Sequence, residues 1–328
     1  MLHIDTNHFP ILAGSLTSIS PPKDRDNTDS AKVTIMSSGV PGDTPANGRT
    51  FAVVGATGQQ GGATARALLK AGVSVRALAR TPDGPAASEL AALGAKVVRA
   101  DLEDPDSLRN AFTGVDGVFA MTTPAPPGGV EGEVAHGKLI VDAARDAVVP
   151  RLVYSSVGGA DRHTGIPHFE SKRRVERYLA ESGVAFTLVR PTFFMDNFRG
   201  AGPTLEDGVL VLRSPLAAGV PLQMIAAEDV GHAAAAALLD PDDVPGGAIE
   251  IAGDELTGEQ IAAVYGARAG RPARFESLGL EVLAGDEDMH KMFAWFDSPP
   301  AYRADLAATR TLVPAVKTFP AWLAAEQA

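Results

Sequence analysis

From residue 50 to about residue 200, the apolar positions switch repeatedly between the spacing of a strand and that of a helix. Phe51 to Val54 is an unbroken apolar run, as a strand buried on both faces requires. Ala63 to Lys70 then reads as a helix, and Val73 to Ala79 alternates as a second strand. Pro85 to Leu93 (helix), Lys96 to Arg99 (strand), Pro105 to Phe112 (helix) and Gly117 to Met121 (strand) continue the rhythm. Glu131 to Ala147 is a long helix with Val134, Leu139, Ile140 and Ala144 at helical spacing. Arg151 to Ser155, His168 to Ser182 and Val184 to Arg190 complete the series as strand, helix and strand. Regular alternation of this kind predicts an α/β fold, a doubly wound parallel sheet with helices on both faces, whose ligands bind at the carboxyl ends of the strands.

The remaining third is mixed. Gly208 to Leu212 and Ala248 to Ile251 read as strands, and Glu228 to Leu239, Thr257 to Ala269, Glu287 to Phe296 and Phe319 to Glu326 as helices. Asp229 is expected to cap the first of these helices, with His232 in its first turn. Residues 201–328 therefore form a smaller mixed α/β lobe that partly completes the core of 50–200. Residues 1–49 are polar and rich in Pro and Gly, the composition of a disordered leader. No basic region precedes their short apolar patch, so they make a poor signal peptide. The functional start is expected near Met36, with the upstream part a tag or an overlong gene start; an intact mass beginning at Met1 would overturn this.

Composition narrows the function classes. A hydrophobic share of 45% supports a large core, and a net charge of −11 argues against direct nucleic-acid binding. The densest basic cluster, Lys172, Arg173, Arg174 and Arg177, is interleaved with Glu170, Glu176 and Glu181 and reads as a solvated helix face. The absence of cysteine excludes disulfides, a thiol nucleophile and thiolate metal ligands, and fits a cytoplasmic protein. No apolar run is long enough to span a bilayer, and no metal site is expected.

The chemistry starts after the first strand, at Gly55-Ala56-Thr57-Gly58-Gln59-Gln60-Gly61. Strand, glycine turn and helix in this order make a site for a dinucleotide pyrophosphate. Gly55 permits the sharp turn, Gly58 lets the backbone approach the phosphates, and Gly61 lets the helix pack close to the strand. The helix N-terminus adds free N–H groups and partial positive charge. The second strand ends at Arg80, followed by Thr81, where an NAD site carries an acid for the ribose 2′-hydroxyl. A basic residue there accommodates a 2′-phosphate and argues for NADP(H).

Further candidates fall at the same sheet edge. Asp101 and Leu102 follow the third strand, within reach of an adenine, and Thr122 and Thr123 follow the fourth, along the cofactor. Pro124 to Gly129 has the composition of a rim or lid. Tyr154-Ser155-Ser156 closes the fifth strand, and Pro191-Thr192-Phe193-Phe194-Met195-Asp196-Asn197 closes the sixth with a mix suited to a wall beside the nicotinamide.

The glycine turn, the Arg80 position, His168-Phe169-Glu170-Ser171-Lys172, the Phe193 to Asn197 run and the late Met292 to Phe296 segment together resemble the NmrA-like family, atypical relatives of the short-chain dehydrogenases, and within it the NADPH-sensing subgroup. The resemblance covers residues 50 to 328. It implies a Rossmann core holding NADP(H) at Gly55 to Gln60, with Arg80 and Thr81 at the 2′-phosphate. It also implies that Lys172 reaches the nicotinamide ribose and that Phe194 to Asn197 line the nicotinamide end. The family often has further basic residues just after the Arg80 position, whereas this chain has Asp83 and Gly84. Ordinary short-chain dehydrogenases place a proton-donating tyrosine four residues before the lysine; here that residue is His168. Lys172 can lower the cost of a developing anion, and its pKa can fall when it is partly buried. His168 and His136 titrate in a range suited to proton transfer.

Two functions follow. One is an NADPH-dependent reductase of a small carbonyl, enone or quinone-like substrate, with Lys172 and His168 as catalytic candidates. The other is a redox sensor that binds NADP(H) and alters its association with a regulatory protein partner. Either fits a monomer or a homodimer.

Overall fold

The computed structural model describes residues 48–124 and 128–326. Nearly all of the expected leader, and half of the Pro124 to Gly129 rim, lie outside the described residues.

The first half runs β1 (Thr50–Val53), α1 (Gln59–Lys70), β2 (Ser74–Ala79), α2 (Pro85–Ala92), β3 (Lys96–Arg99), α3 (Pro105–Phe112), β4 (Gly117–Met121), α4 (Gly129–Asp146), β5 (Leu152–Ser155), α5 (Pro167–Glu181) and β6 (Phe186–Pro191). Then come β7 (Phe193–Phe194), β8 (Thr204–Glu206), β9 (Val209–Ser214), β10 (Leu222–Ile225), α6 (Ala227–Leu239), β11 (Ala248–Ile251) and β12 (Asp254–Leu256). The chain closes with α7 (Gly258–Ala269), β13 (Ala273–Ser277), α8 (Glu287–Phe296), α9 (Leu306–Leu312) and α10 (Phe319–Ala325).

Seven strands form one parallel sheet in the order β11-β6-β5-β4-β1-β2-β3. The order reverses between β1 and β4, and such a switch point opens a ligand crevice at the strands' carboxyl ends. Period-two alternation divides the core. Phe51 and Val53 join Leu68 and Val230 on the face covered by α1 and α6, while Ala52 and Val54 join Leu108, Phe112 and Ile140 on the face covered by α3, α4 and α5. β11 comes from beyond residue 200 and pairs with β6 from Ala248↔Leu188 to Ile251↔Pro191.

The rest forms two three-stranded sheets, β12-β10-β7 and β13-β9-β8. Their helices pack around a third apolar cluster that includes Leu212, Ile261, Met292, Phe296 and Phe319. Phe169, on α5, is buried in that cluster too, so the helix carrying Lys172 is anchored in the lobe.

Two expectations change here. The first helix begins at Gln59, four residues before Ala63, because the glycine run is itself the first helical turn. Asp229 does not cap α6. It is fully buried, and its carboxylate accepts the Lys317 N–H at 2.8 Å, tying down the segment before α10. The α6 N-terminus is served instead by Asp196, which accepts from the Ala227 N–H at 2.7 Å.

Candidate functional site

The glycine turn is built almost entirely by backbone. Gly55 has φ +65°, a conformation that side chains disfavour, and the Gly58 N–H closes the turn onto the Gly55 carbonyl at 2.9 Å. A Cβ on Gly61 would lie 2.2 Å from that carbonyl oxygen, so only glycine fits there. The α1 N-cap is Gly58, with no side-chain cap and no acid in the first turn. Thr57, Gly58 and Gln59 are exposed around it. An uncapped helix start presents its first-turn N–H groups to an anion, and this one fits a pyrophosphate. Arg80 is exposed at the end of β2, with Thr81 exposed beside it, and Arg80 has no ion-pair partner among the described residues. Asp101 and Leu102 sit at the sheet's outer edge beyond β3; the Asp101 carboxylate accepts the Glu103 N–H at 3.1 Å.

Lys172 occupies the opposite end of the crevice. It projects from α5 beneath the carboxyl edge of β4 and β5, where its ammonium donates to the Thr122 carbonyl at 2.5 Å. Glu133 of α4 pairs with it at 3.0 Å from a side chain with no exposed surface. Glu133 also accepts from the Ser171 hydroxyl, and from the Thr122 hydroxyl at 3.2 Å. The Thr122 hydroxyl in turn lies 2.7 Å from the phenol of Tyr154, which is wholly buried. Burial, the largest single influence, pushes the Lys172 ammonium toward losing its proton, but Glu133 and Tyr154 together outweigh it and hold the lysine above its ordinary value. Burial also raises the Tyr154 phenol.

Ser155 bridges the two ends. Its hydroxyl donates to the Gln60 side chain at 2.6 Å, while its carbonyl lies 3.4 Å from the Lys172 ammonium. Thr123 is half-buried at the end of the same edge.

His168 lies one helical turn before Lys172, but its ring is engaged with the lobe. Nδ1 sits 2.8 Å from both carboxylate oxygens of Asp288 on α8. His136 lies on α4, 3.9 Å from Glu103. The expected solvated basic face holds for Arg174 and Arg177, whereas Lys172 turns inward.

The run after β6 divides. Phe194 packs toward the cluster that contains Ala56 of the glycine turn, and Phe193 toward the lobe cluster. Met195, expected along the cofactor, is fully buried in the lobe core, and Asp196 is committed to Ala227 and to Arg199 at 2.9 Å. Phe193 and Asn197 line a narrow apolar cleft with Phe198, Leu212, Ile261 and Phe275. Trp295 is not part of that lining and packs on Phe169 and Tyr302.

Sequence reasoning missed Glu133 altogether. Its signal was available: with Gly137, Ile140 and Ala144 it falls on the buried stripe of α4, where an unpaired acid is costly.

Sheet order, glycine turn and uncapped α1 define a Rossmann-type dinucleotide-binding fold. Residues 47–322 match the NmrA-like family, and the chain belongs to it. It is 32% identical over 287 residues to an NAD(P)H azoreductase of Xenophilus azovorans, covering 84% of this chain and 95% of the relative. The fold matches an NADPH-dependent quinone oxidoreductase of Escherichia coli solved with NADPH, with a TM-score of 0.71, 24% identity, and coverage of 85% of this chain and all of that one. It equally matches NmrA, a negative transcriptional regulator solved with NAD, with a TM-score of 0.71, 23% identity, and coverage of 83% and 93%. Among the described residues, no helix is long and apolar enough to cross a membrane.

Proposed function

We propose that this protein is an NADP(H)-dependent oxidoreductase that reduces a small apolar acceptor of carbonyl, enone or quinone-like character. The observation that carries this reading is the narrow apolar cleft on one side of β7, whose other side packs toward the glycine turn. Such largely apolar walls suit a flat conjugated molecule. In this reading the α1 N-terminus and Gly55 to Gly61 hold the pyrophosphate, Arg80 and Thr81 the 2′-phosphate, and Asp101 and Leu102 border the adenine. Thr122, Thr123, Phe194 and Asn197 flank the nicotinamide half.

Bound NADPH supplies a hydride, so the acceptor gains two electrons and takes one proton from solvent or a positioned acid. Lys172 stays cationic and lowers the electrostatic cost of the anion formed. His168 is one turn away and oriented by Asp288, which makes it the candidate to relay the proton. Lys172 is ill suited to that task because its ammonium is stabilised by Glu133.

A sensor role is the second reading, favoured by the His168–Asp288 contact. It links the Lys172 helix to the lobe, so cofactor binding has a structural route to a partner surface. NADPH oxidation followed with quinones, enones, azo compounds and aldehydes, alongside NADPH binding by fluorescence, separates the two. Turnover is the expected outcome; tight binding without turnover on any acceptor favours the sensor.

A further inference from the structure

We propose that Glu133 is a positioning residue that locks the Lys172 ammonium as a permanent cation at the edge of β4 and β5, with one N–H left to donate to a cofactor or substrate hydroxyl. This rests on the reading above, in which Lys172 faces the cofactor.

The argument is geometric. An ammonium has three donors. Two are committed at short range, to the Thr122 carbonyl at 2.5 Å and to Glu133 at 3.0 Å. The remaining contacts, to the Ser155 carbonyl and the Thr122 hydroxyl, are both 3.4 Å, leaving a donor that a better acceptor can claim. The side chain retains 10% of its surface. Glu133 is itself fixed by Ser171 from α5 and Thr122 from β4, so its own position is set from two elements. The titratable groups facing Lys172 are Glu133 on α4 and Tyr154 on β5, whose ring lies under the ammonium at 5.3 Å. Burial holds the Tyr154 phenol above its ordinary value, so Glu133 is the main counter-charge, with Tyr154 a lesser one. Without Glu133, only Tyr154 opposes burial and Lys172 loses its proton at lower pH.

The test measures NADPH affinity by fluorescence between about pH 7 and 9.5 for wild type, Glu133→Gln and the double variant Glu133→Gln/Lys172→Met. The double variant leaves no unpaired buried ion, so it folds even if the single one does not. We expect wild-type affinity to exceed that of the double variant by a constant ratio across this range. In Glu133→Gln the advantage is expected to fall on the order of tenfold as pH rises. A wild-type ratio that collapses toward one at high pH, or a Glu133→Gln ratio as constant as the wild type's, overturns the proposal.

Urea unfolding without cofactor reads the lock independently. A raised folded-state pKa gives stability that is full below the ordinary lysine value and is lost as pH rises through the folded one. A depressed pKa reverses the slope below the ordinary lysine value. Relative to the double variant, wild type is therefore expected to show a constant stability up to about pH 10, and Glu133→Gln a stability that rises with pH. These slopes without NADPH binding would remove the cofactor reading and leave the lock in place. Parallel slopes with normal binding would remove the lock alone.

Discussion

The two ends of the crevice are built on different principles. At the glycine turn the shape is set by the backbone of seven consecutive residues, of which Thr57, Gly58 and Gln59 are exposed. At the Lys172 end the groups are side chains from α4, α5, β4 and β5, buried and mutually hydrogen-bonded. The first end depends on the absence of atoms, since a single methyl group breaks it. The second depends on charge balance, since removing either ion strands the other.

Gly61→Ala tests the first end most severely. Its Cβ would meet the Gly55 carbonyl oxygen at 2.2 Å, so the turn must open. NADPH binding should be lost, and the urea midpoint should report a destabilisation of about 1–3 kcal/mol. Gly58→Ala sharpens the point, because its Cβ approaches the same oxygen only to 3.3 Å and points toward exposed surface. Near-normal stability with weakened NADPH binding is expected there; unchanged affinity would remove Gly58 from the phosphate site.

At the other end, the Glu133→Gln/Lys172→Met pair should lower kcat/KM for an accepted substrate by about 100-fold or more while the protein stays folded. Activity within a few-fold of wild type would show that the buried pair is architecture alone. Arg80→Ala should have a smaller effect, about a tenfold loss of preference for NADPH over NADH. Titrating both cofactors separates this from a general weakening, since a loss shared equally by the two would detach Arg80 from the 2′-phosphate.

The same contrast explains what the sequence disclosed. β3, α3 and β4 run between the expected residues because each has local punctuation: Pro105 opens α3 under an Asp104 cap, and Gly117 opens an apolar run. The glycine turn was legible because its parts are consecutive. Glu133 was not, because its meaning comes from Lys172, 39 positions away on another helix. β10, β12 and β13 went unseen for a related reason. They are short, and β10 and β12 define each other by pairing Leu222 with Leu256 across the lobe. Asp229 shows the converse error: an acid early in a helix suggests a cap, but here the partner that claims it is the Lys317 backbone.

Asp196 sits where the two principles meet, and it yields the smallest and most discriminating effect. The family resemblance puts it beside the nicotinamide, whereas its observed partners are the Ala227 N–H and Arg199. Burial lifts its carboxyl above the ordinary range while the Ala227 N–H and Arg199 oppose that shift. A carboxylate in this position caps α6 from outside the helix, and α6 packs in the same core as α1. If capping is its whole role, Asp196→Ala should cost about 1 kcal/mol in urea unfolding and leave NADPH affinity little changed. An affinity loss with stability intact would mean that the carboxylate turns toward the cofactor when it binds. The lobe would then contribute side-chain chemistry to a nucleotide site that is otherwise made by the turn.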